Sequence, residues 1–359
     1  MEFIMTDKEV SAIEQRRLGA SGMEVAALGL GTQQWGDKRW GYGKSYTRDD
    51  HEATYKTLLD AGVNFFDTSE NYGGGVAEQL IGEFHRLDGR PIFVATKFTP
   101  AKIYDASTRL SAKSMMSTLD GSLKRLGVRA VDLYQLHYPP ARRRLGSYLD
   151  ALAETVEVGK ARAVGVSNFN VELLRYAYEY LANRGITLAS NQIQYSILSR
   201  HPEGDGMLAA CEELDIALIA ILPLGEGVLT GKYRVGGLPY PPRVRAILTV
   251  TNLDLFHQDE NAKSIVKRFR RKPYELQREA LEPLFELLED IAKGHNATIA
   301  QVALNWLRAS NPRVIPIPGA KYATQARDNA SALRWNLSPG EFKRISEREA
   351  AIRASLSRS

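Results

Sequence analysis

Short apolar, β-branched runs alternate with longer helical patterns along this 359-residue chain. The strand-like runs are Val25–Thr32, Val63–Ser69, Ile92–Phe98, Val131–His137, Arg162–Asn168, Leu188–Ser196, Ala217–Leu224 and Val314–Gly319. Between them, apolar residues recur at helical spacing over Asp49–Ala61, Ala77–Leu87, Thr108–Leu126, Tyr148–Val158, Val171–Ala182, Met207–Leu214 and Glu279–Lys293. Each strand run is close to continuously apolar, as strands covered on both faces are. About eight β-then-α units in succession predict an α/β fold, a (β/α)8 TIM barrel rather than an open sheet. No linker or composition break divides the pattern, so one domain over 16–359 is expected after a disordered lead over 1–15.

Helix punctuation agrees with this division. Thr47 precedes Asp49 and Asp50, a cap candidate followed by first-turn acids that the helix dipole favours. Gly62 stands where a helix would end before Val63 begins the next strand. Ser338-Pro339-Gly340-Glu341 reads as cap, first-turn proline and capping-box glutamate. The segment 233–273 is too long for an ordinary connection and is expected to be a functional or disordered loop.

Composition changes this picture little. The chain is 44% hydrophobic and 25% charged, ordinary for a globular protein, with a net charge of +5. The basic excess gathers in Arg142–Arg144 and Lys263–Lys272. No recognition motif accompanies these runs, so nucleic-acid binding is not expected; solvated faces or attraction of an anionic cofactor remain as readings. Cys211 is the single cysteine, which excludes an intrachain disulfide and suits a reducing compartment; its helical setting reads as a buried structural thiol. The N-terminus lacks a sustained apolar stretch and no window approaches a membrane span, so a cytoplasmic protein without membrane association is expected. No metal is expected, and oligomeric state is not legible.

Asp67, Lys97 and His137 each lie at the C-terminal end of a separate strand run, and Tyr72 follows the first of these in a glycine-rich loop. In a parallel barrel those ends build the site. Reducing a carbonyl by hydride transfer leaves negative charge on oxygen, which calls for a proton donor within reach. Tyr72 can be that donor, although a free phenol titrates at about 10. An ammonium beside it, Lys97, favours the phenolate. Asp67 would hold Lys97 charged and oriented, and His137 would direct the substrate oxygen. Singly, each has an ordinary alternative: a packing tyrosine, a turn-capping aspartate, a snorkelling lysine, a core histidine. Their joint placement makes the case.

FFDTSENYGGG, IFVATKF and VDLYQLHYP closely resemble the aldo-keto reductases, and LGLGTQQWG, GVSNF, NQIQYS, PLGEGVLTGKY and IPIPGAK follow in the family's order. The resemblance runs from about Arg17 to Ile345 and is greatest to single-domain plant and bacterial members. It implies that Asp67, Tyr72, Lys97 and His137 form the catalytic tetrad, and that the cofactor is NADPH/NADP+. It further implies cofactor contacts from Gly31, Thr32, Asp67, Ser167, Asn168, Gln192, Leu224, Gly227, Lys232 and Arg245. Ser167, Asn168 and Gln192 would hold the nicotinamide carboxamide, which presents both donor and acceptor. Gly227 would let the backbone approach the pyrophosphate and Lys232 would supply charge.

The adenosine end is expected at Gly319, Lys321, Gln325, Asp328 and Asn329, with Lys321 against the 2′-phosphate and helix N-terminal amides nearby. The first strand is followed by no GxGxxG, so a Rossmann fold is disfavoured. Two departures from the family's pattern stand out: Ile221 replaces the usual aromatic stacked on the nicotinamide, and Glu226 puts a carboxylate close to the pyrophosphate segment. Trp35, Trp40 and Tyr138 are expected to line an aromatic pocket for a small-molecule aldehyde or ketone, or else to pack in the core. A cofactor-binding regulatory subunit, like the β subunits of potassium channels, is the competing reading; a Lys97 Schiff-base aldolase or isomerase would leave the cofactor motifs unexplained.

Overall fold

The computed structural model describes residues 13–100, 111–239 and 275–358. Two short strands, β1 (Gln15–Arg17) and β2 (Glu24–Ala26), pair antiparallel ahead of an eight-stranded parallel sheet. The parallel strands are β3 (Leu30–Gly31), β4 (Phe65–Asp67), β5 (Phe93–Phe98), β6 (Val131–Leu136), β7 (Ala161–Ser167), β8 (Leu188–Gln194), β9 (Ala217–Ile221) and β10 (Val314–Pro316). They neighbour one another in chain order. The ring closes where Gly29 N donates to Pro316 O at 3.0 Å and Gly31 N to Pro318 O at 3.2 Å. This is the expected (β/α)8 barrel.

The first expected strand divides in two. Val25–Thr32 is one apolar run, yet its first half closes a hairpin and only its second half joins the barrel. Gly29 stands at the break, where an added Cβ would meet the Phe65 ring at 2.7 Å. The pairing of Gln15 with Ala26 lies ahead of the boundary expected at Arg16. Leu18 and Val25 of the hairpin region pack with Phe65, Phe93, Leu133, Ala163, Ala217, Ile219 and Ile315, an apolar cluster that fills the barrel and closes its floor.

Helices cover the outside, among them Arg48–Asp60, Val76–Asp88, Met115–Leu126, Arg142–Glu157, Val171–Ala182 and Met207–Glu213. The Ser338 box forms as expected, with Ser338 N donating to Glu341 Oε2 at 2.8 Å; the Thr47 cap candidate proves to be a box as well, with Thr47 N donating to Asp50 Oδ2 at 2.8 Å. The helix Ile299–Ser310, which the apolar pattern did not single out, is buried nearly all round from Ala300 to Arg308. Burial pushes the Cys211 thiol up to about 12, which fits a structural thiol. Among the described residues no helix is long and apolar enough to cross a membrane.

Side-chain alternation along a strand sends residues i and i+2 to the same face. Along the inward faces the chemistry changes from floor to mouth: Phe65 gives way to Asp67, Ala95 to Lys97, Leu133 to Gln135 and Ala163, beyond Gly165, to Ser167. The same strands that fill the core thus deliver polar groups to its carboxyl end.

Candidate active site

Asp67 ends β4 and is buried. Lys97, on β5, has no solvent exposure, and its ammonium is held by three oxygens: Asp67 Oδ2 at 2.7 Å, Thr68 O at 2.7 Å and Tyr72 Oη at 3.3 Å. A buried ammonium needs such partners, because isolating it in a dry interior would cost several kcal/mol. Asp67 Oδ1 meanwhile accepts from Gln192 Nε2 at 2.7 Å, and from Gln135 Nε2 at 3.4 Å. The carboxylate is thereby fixed from three strands.

Tyr72 begins the turn Tyr72–Gly75, in which Gly73 and Gly74 have φ of 57° and 68°. A Cβ on Gly73 would lie 2.8 Å from Trp35 O, so glycine is required there on both backbone and steric grounds. The turn brings the phenol back over the mouth, edge-on to His137 with ring centroids 6.0 Å apart.

His137 follows β6 and is buried. Its N donates to Phe98 O at 2.9 Å, its ring stacks on Tyr138 at 4.6 Å, and Nδ1 lies 2.9 Å from Thr99 Oγ1. Burial, reinforced by the Lys97 charge, holds its pKa well below the ordinary histidine value. His137 is neutral near neutral pH. Thr99 in turn donates from its backbone to Glu70 Oε1 at 2.9 Å, and burial raises the Glu70 carboxyl.

A cleft of about 460 Å³ opens over these groups. It is lined by Asp67, Tyr72 and His137, and also by Gly31, Ser167, Asn168, Gln192, Ile221, Leu224, Gly227, Lys232, Gly319, Lys321, Gln325, Asp328 and Asn329. Ile221, the final residue of β9, is half-buried at this wall. Asn168 adopts a φ of 62°, a region asparagine tolerates, and its Nδ2 donates to His137 O at 3.0 Å. Lys232 passes beside Gly227, where a Cβ would fall 2.7 Å from the lysine Nζ. At the far end, Lys321 Nζ donates to Trp40 O at 3.0 Å and Gln325 Oε1 accepts from Lys321 N at 2.8 Å. Asp328 accepts from Gln301 Nε2 at 2.7 Å.

Two expected residues stand elsewhere. Thr32 is fully buried outside the cleft lining, its hydroxyl donating to Asp67 O at 2.8 Å, so it braces the aspartate's backbone. Trp35 is also fully buried, stacked on His51 at 4.5 Å with Nε1 donating to Ala320 O at 3.0 Å. It is core, whereas Trp40 and Tyr138 do line the cleft. Arg245 and the run Lys263–Lys272 lie outside the described residues. Sequence reasoning missed Gln135, Thr99 and Glu70, which support the four central groups, and Gln34, Thr230 and Tyr322, which line the cleft. Thr99 stands just past β5, two residues after Lys97, and that spacing was the available signal.

Comparison with known proteins converges on one family. The aldo/keto reductase family model matches residues 27–350. The chain is 34% identical to the chloroplastic pyridoxal reductase of Arabidopsis thaliana over 89% of its length and 82% of that protein's. It is 31% identical to an NADP(+) aldo-keto reductase of Schizosaccharomyces pombe, covering 85% and 84%. A crystal structure of a thermostable aldo-keto reductase with the inhibitor epalrestat superposes with a TM-score of 0.67 at 30% identity, covering 94% of this chain and all of that one. With its barrel, its motif order and these relatives, this chain belongs to the aldo/keto reductase family of oxidoreductases.

Proposed function

We propose that this protein reduces an aldehyde or ketone to the alcohol with NADPH, and that Tyr72 is the proton donor. The observation that carries the reading is the buried ammonium of Lys97, bonded at once to Asp67 and to the Tyr72 hydroxyl at the edge of the cleft. The S. pombe relative bears NADP(+) in its name, which supports the cofactor.

The lining suits a nicotinamide dinucleotide. At the inner end, Asn168 and Gln192 use their Nδ2 and Nε2 within the protein, leaving Oδ1 and Oε1 to accept from a carboxamide NH2. At the outer end, Lys232 and Lys321 supply cations to phosphates, and the helix Ala323–Ser331 begins beside Lys321. When bound, the nicotinamide supplies the hydride. Tyr72 then gives its proton to the oxygen on which charge develops. The adjacent Lys97 ammonium stabilises the phenoxide that remains, and Asp67 keeps the ammonium in place. Neutral His137 donates a hydrogen bond to the same oxygen and fixes its direction. Trp40 and Tyr138 form apolar walls for the carbonyl's substituent.

The test is a panel of small aliphatic and aromatic aldehydes and ketones, with NADPH oxidation followed by absorbance. Sustained turnover is expected with at least one carbonyl class. Tight NADPH binding without turnover on any of them would overturn the reading in favour of a cofactor-binding sensor.

A further inference from the structure

We propose that Thr99 is a positioning residue that sets which ring nitrogen of His137 carries the proton. The proposal rests on the reading of His137 as a donor to the substrate oxygen. A neutral imidazole has one N–H, and only the tautomer protonated on the nitrogen facing the substrate can donate. The surroundings of His137 fix its place without choosing a tautomer: Phe98 O holds its backbone at 2.9 Å, Asn168 Nδ2 holds its carbonyl at 3.0 Å, and Tyr138 stacks on the ring. The choice falls to Nδ1, whose hydrogen-bond partner among the described residues is the Thr99 hydroxyl at 2.9 Å.

Two arrangements of that contact are possible in principle. If the hydroxyl donates to Nδ1, the ring proton sits on Nε2 and the ring offers a donor on its other side. If Nδ1–H donates to the hydroxyl, Nε2 presents a lone pair, which repels a carbonyl oxygen. The competing acceptor for the hydroxyl proton is Glu70, which is also within hydrogen-bond reach of the Thr99 side chain. Both Glu70 oxygens already have donors, Thr99 N at 2.9 Å on one and Ser69 Oγ at 2.9 Å on the other. Nδ1 has none besides Thr99 among the described residues. With Glu70 already held by those two donors the hydroxyl proton is not required there, and donating it to Nδ1 leaves the ring proton on Nε2, the tautomer that the proposed role of His137 needs.

The experiment records two-bond 1H–15N correlations of the 15N-histidine-labelled protein, with His137→Gln used to assign the His137 signals. The Nε2–H tautomer is expected in the parent and in Thr99→Ser, which keeps the hydroxyl. Thr99→Val, close in shape but without a hydroxyl, is expected to lose that preference and to lower kcat about 10- to 100-fold with NADPH affinity unchanged. An Nδ1–H tautomer in the parent, or an intact Nε2–H signal in Thr99→Val, would overturn the proposal. Loss of the tautomer with unchanged kcat would support the positioning role and overturn only the assignment of His137 to the reaction.

Discussion

Both ends of the barrel bury cations against carboxylates, and only one end opens them to a cleft. At the floor, Arg16 donates to Glu14 Oε1 at 2.9 Å, Asn311 O at 3.0 Å, Arg308 O at 2.7 Å and Val314 O. Arg308 donates to Asn305 Oδ1 at 2.7 Å and pairs with Glu14. These guanidiniums spend their donors on the ends of a strand and a helix, and the hairpin covers them. At the mouth, Lys97 is equally buried, but one of its partners is a phenol on the cleft wall. Buried charge by itself therefore does not mark a site. What distinguishes the mouth is an ion pair bonded to an exchangeable proton that faces open space.

The comparison can be broken most directly by removing one cation at each end. Lys97→Met leaves the Asp67 carboxylate buried without its counter-ion, and Arg16→Met strands several carbonyls; each is expected to destabilise the fold by about 3–5 kcal/mol. Denaturant melts check this. Turnover per folded molecule should collapse in Lys97→Met and stay near parental in Arg16→Met. Parental turnover in folded Lys97→Met would show the two ends to be equivalent.

Another buried ionisable group belongs to neither end. His51 is fully buried between the Trp35 and Tyr42 rings, and neither of its ring nitrogens has a hydrogen-bond partner among the described residues. Burial lowers its pKa to about 4, with Asp50 opposing and Lys321 adding to the shift. The unfolded chain takes up this proton near 6.5 and the folded chain near 4, so stability falls as pH drops through that window. The loss from this residue reaches up to about 1.4 kcal/mol per pH unit. His51→Phe should flatten the acid side of the stability profile while leaving NADPH affinity near neutral pH unchanged; an unchanged acid slope would show that His51 is hydrated or paired when folded.

The smallest expected effect lies at the outer end of the cleft. Lys321 Nζ donates to Trp40 O at 3.0 Å and lies against the faces of Tyr46 and Trp40, at 4.6 and 5.7 Å. Lys321→Ala should weaken NADPH by about 1–2 kcal/mol more than NADH, the size of a charge-assisted hydrogen bond. Equal losses in fluorescence titration would remove this lysine from the choice of cofactor.

How far the sequence could be read follows the same division. Asp67, Lys97 and His137 were legible because each sits at the end of an apolar run, a signal local in the chain. Gln135 and Thr99 were not, since their roles depend on which side chains meet across neighbouring strands. Trp35 and Trp40 lie five residues apart in one loop, and their opposite fates, core and cleft wall, are decided by Ala320 and His51 from distant segments. The run Val25–Thr32 hid a hairpin because strands of either kind bury the same residue types. The helix Ile299–Ser310, by contrast, carries a clear apolar face in its own sequence and was there to be read.

The central claim is that the mouth's ion pair serves a proton held by Tyr72. Tyr72→Phe removes that proton and little else, so the decisive measurement is kcat of this variant on the best carbonyl substrate beside its NADPH dissociation constant. Turnover is expected to fall by roughly two to four orders of magnitude with NADPH affinity unchanged. A variant that keeps roughly half the parental kcat would contradict the account.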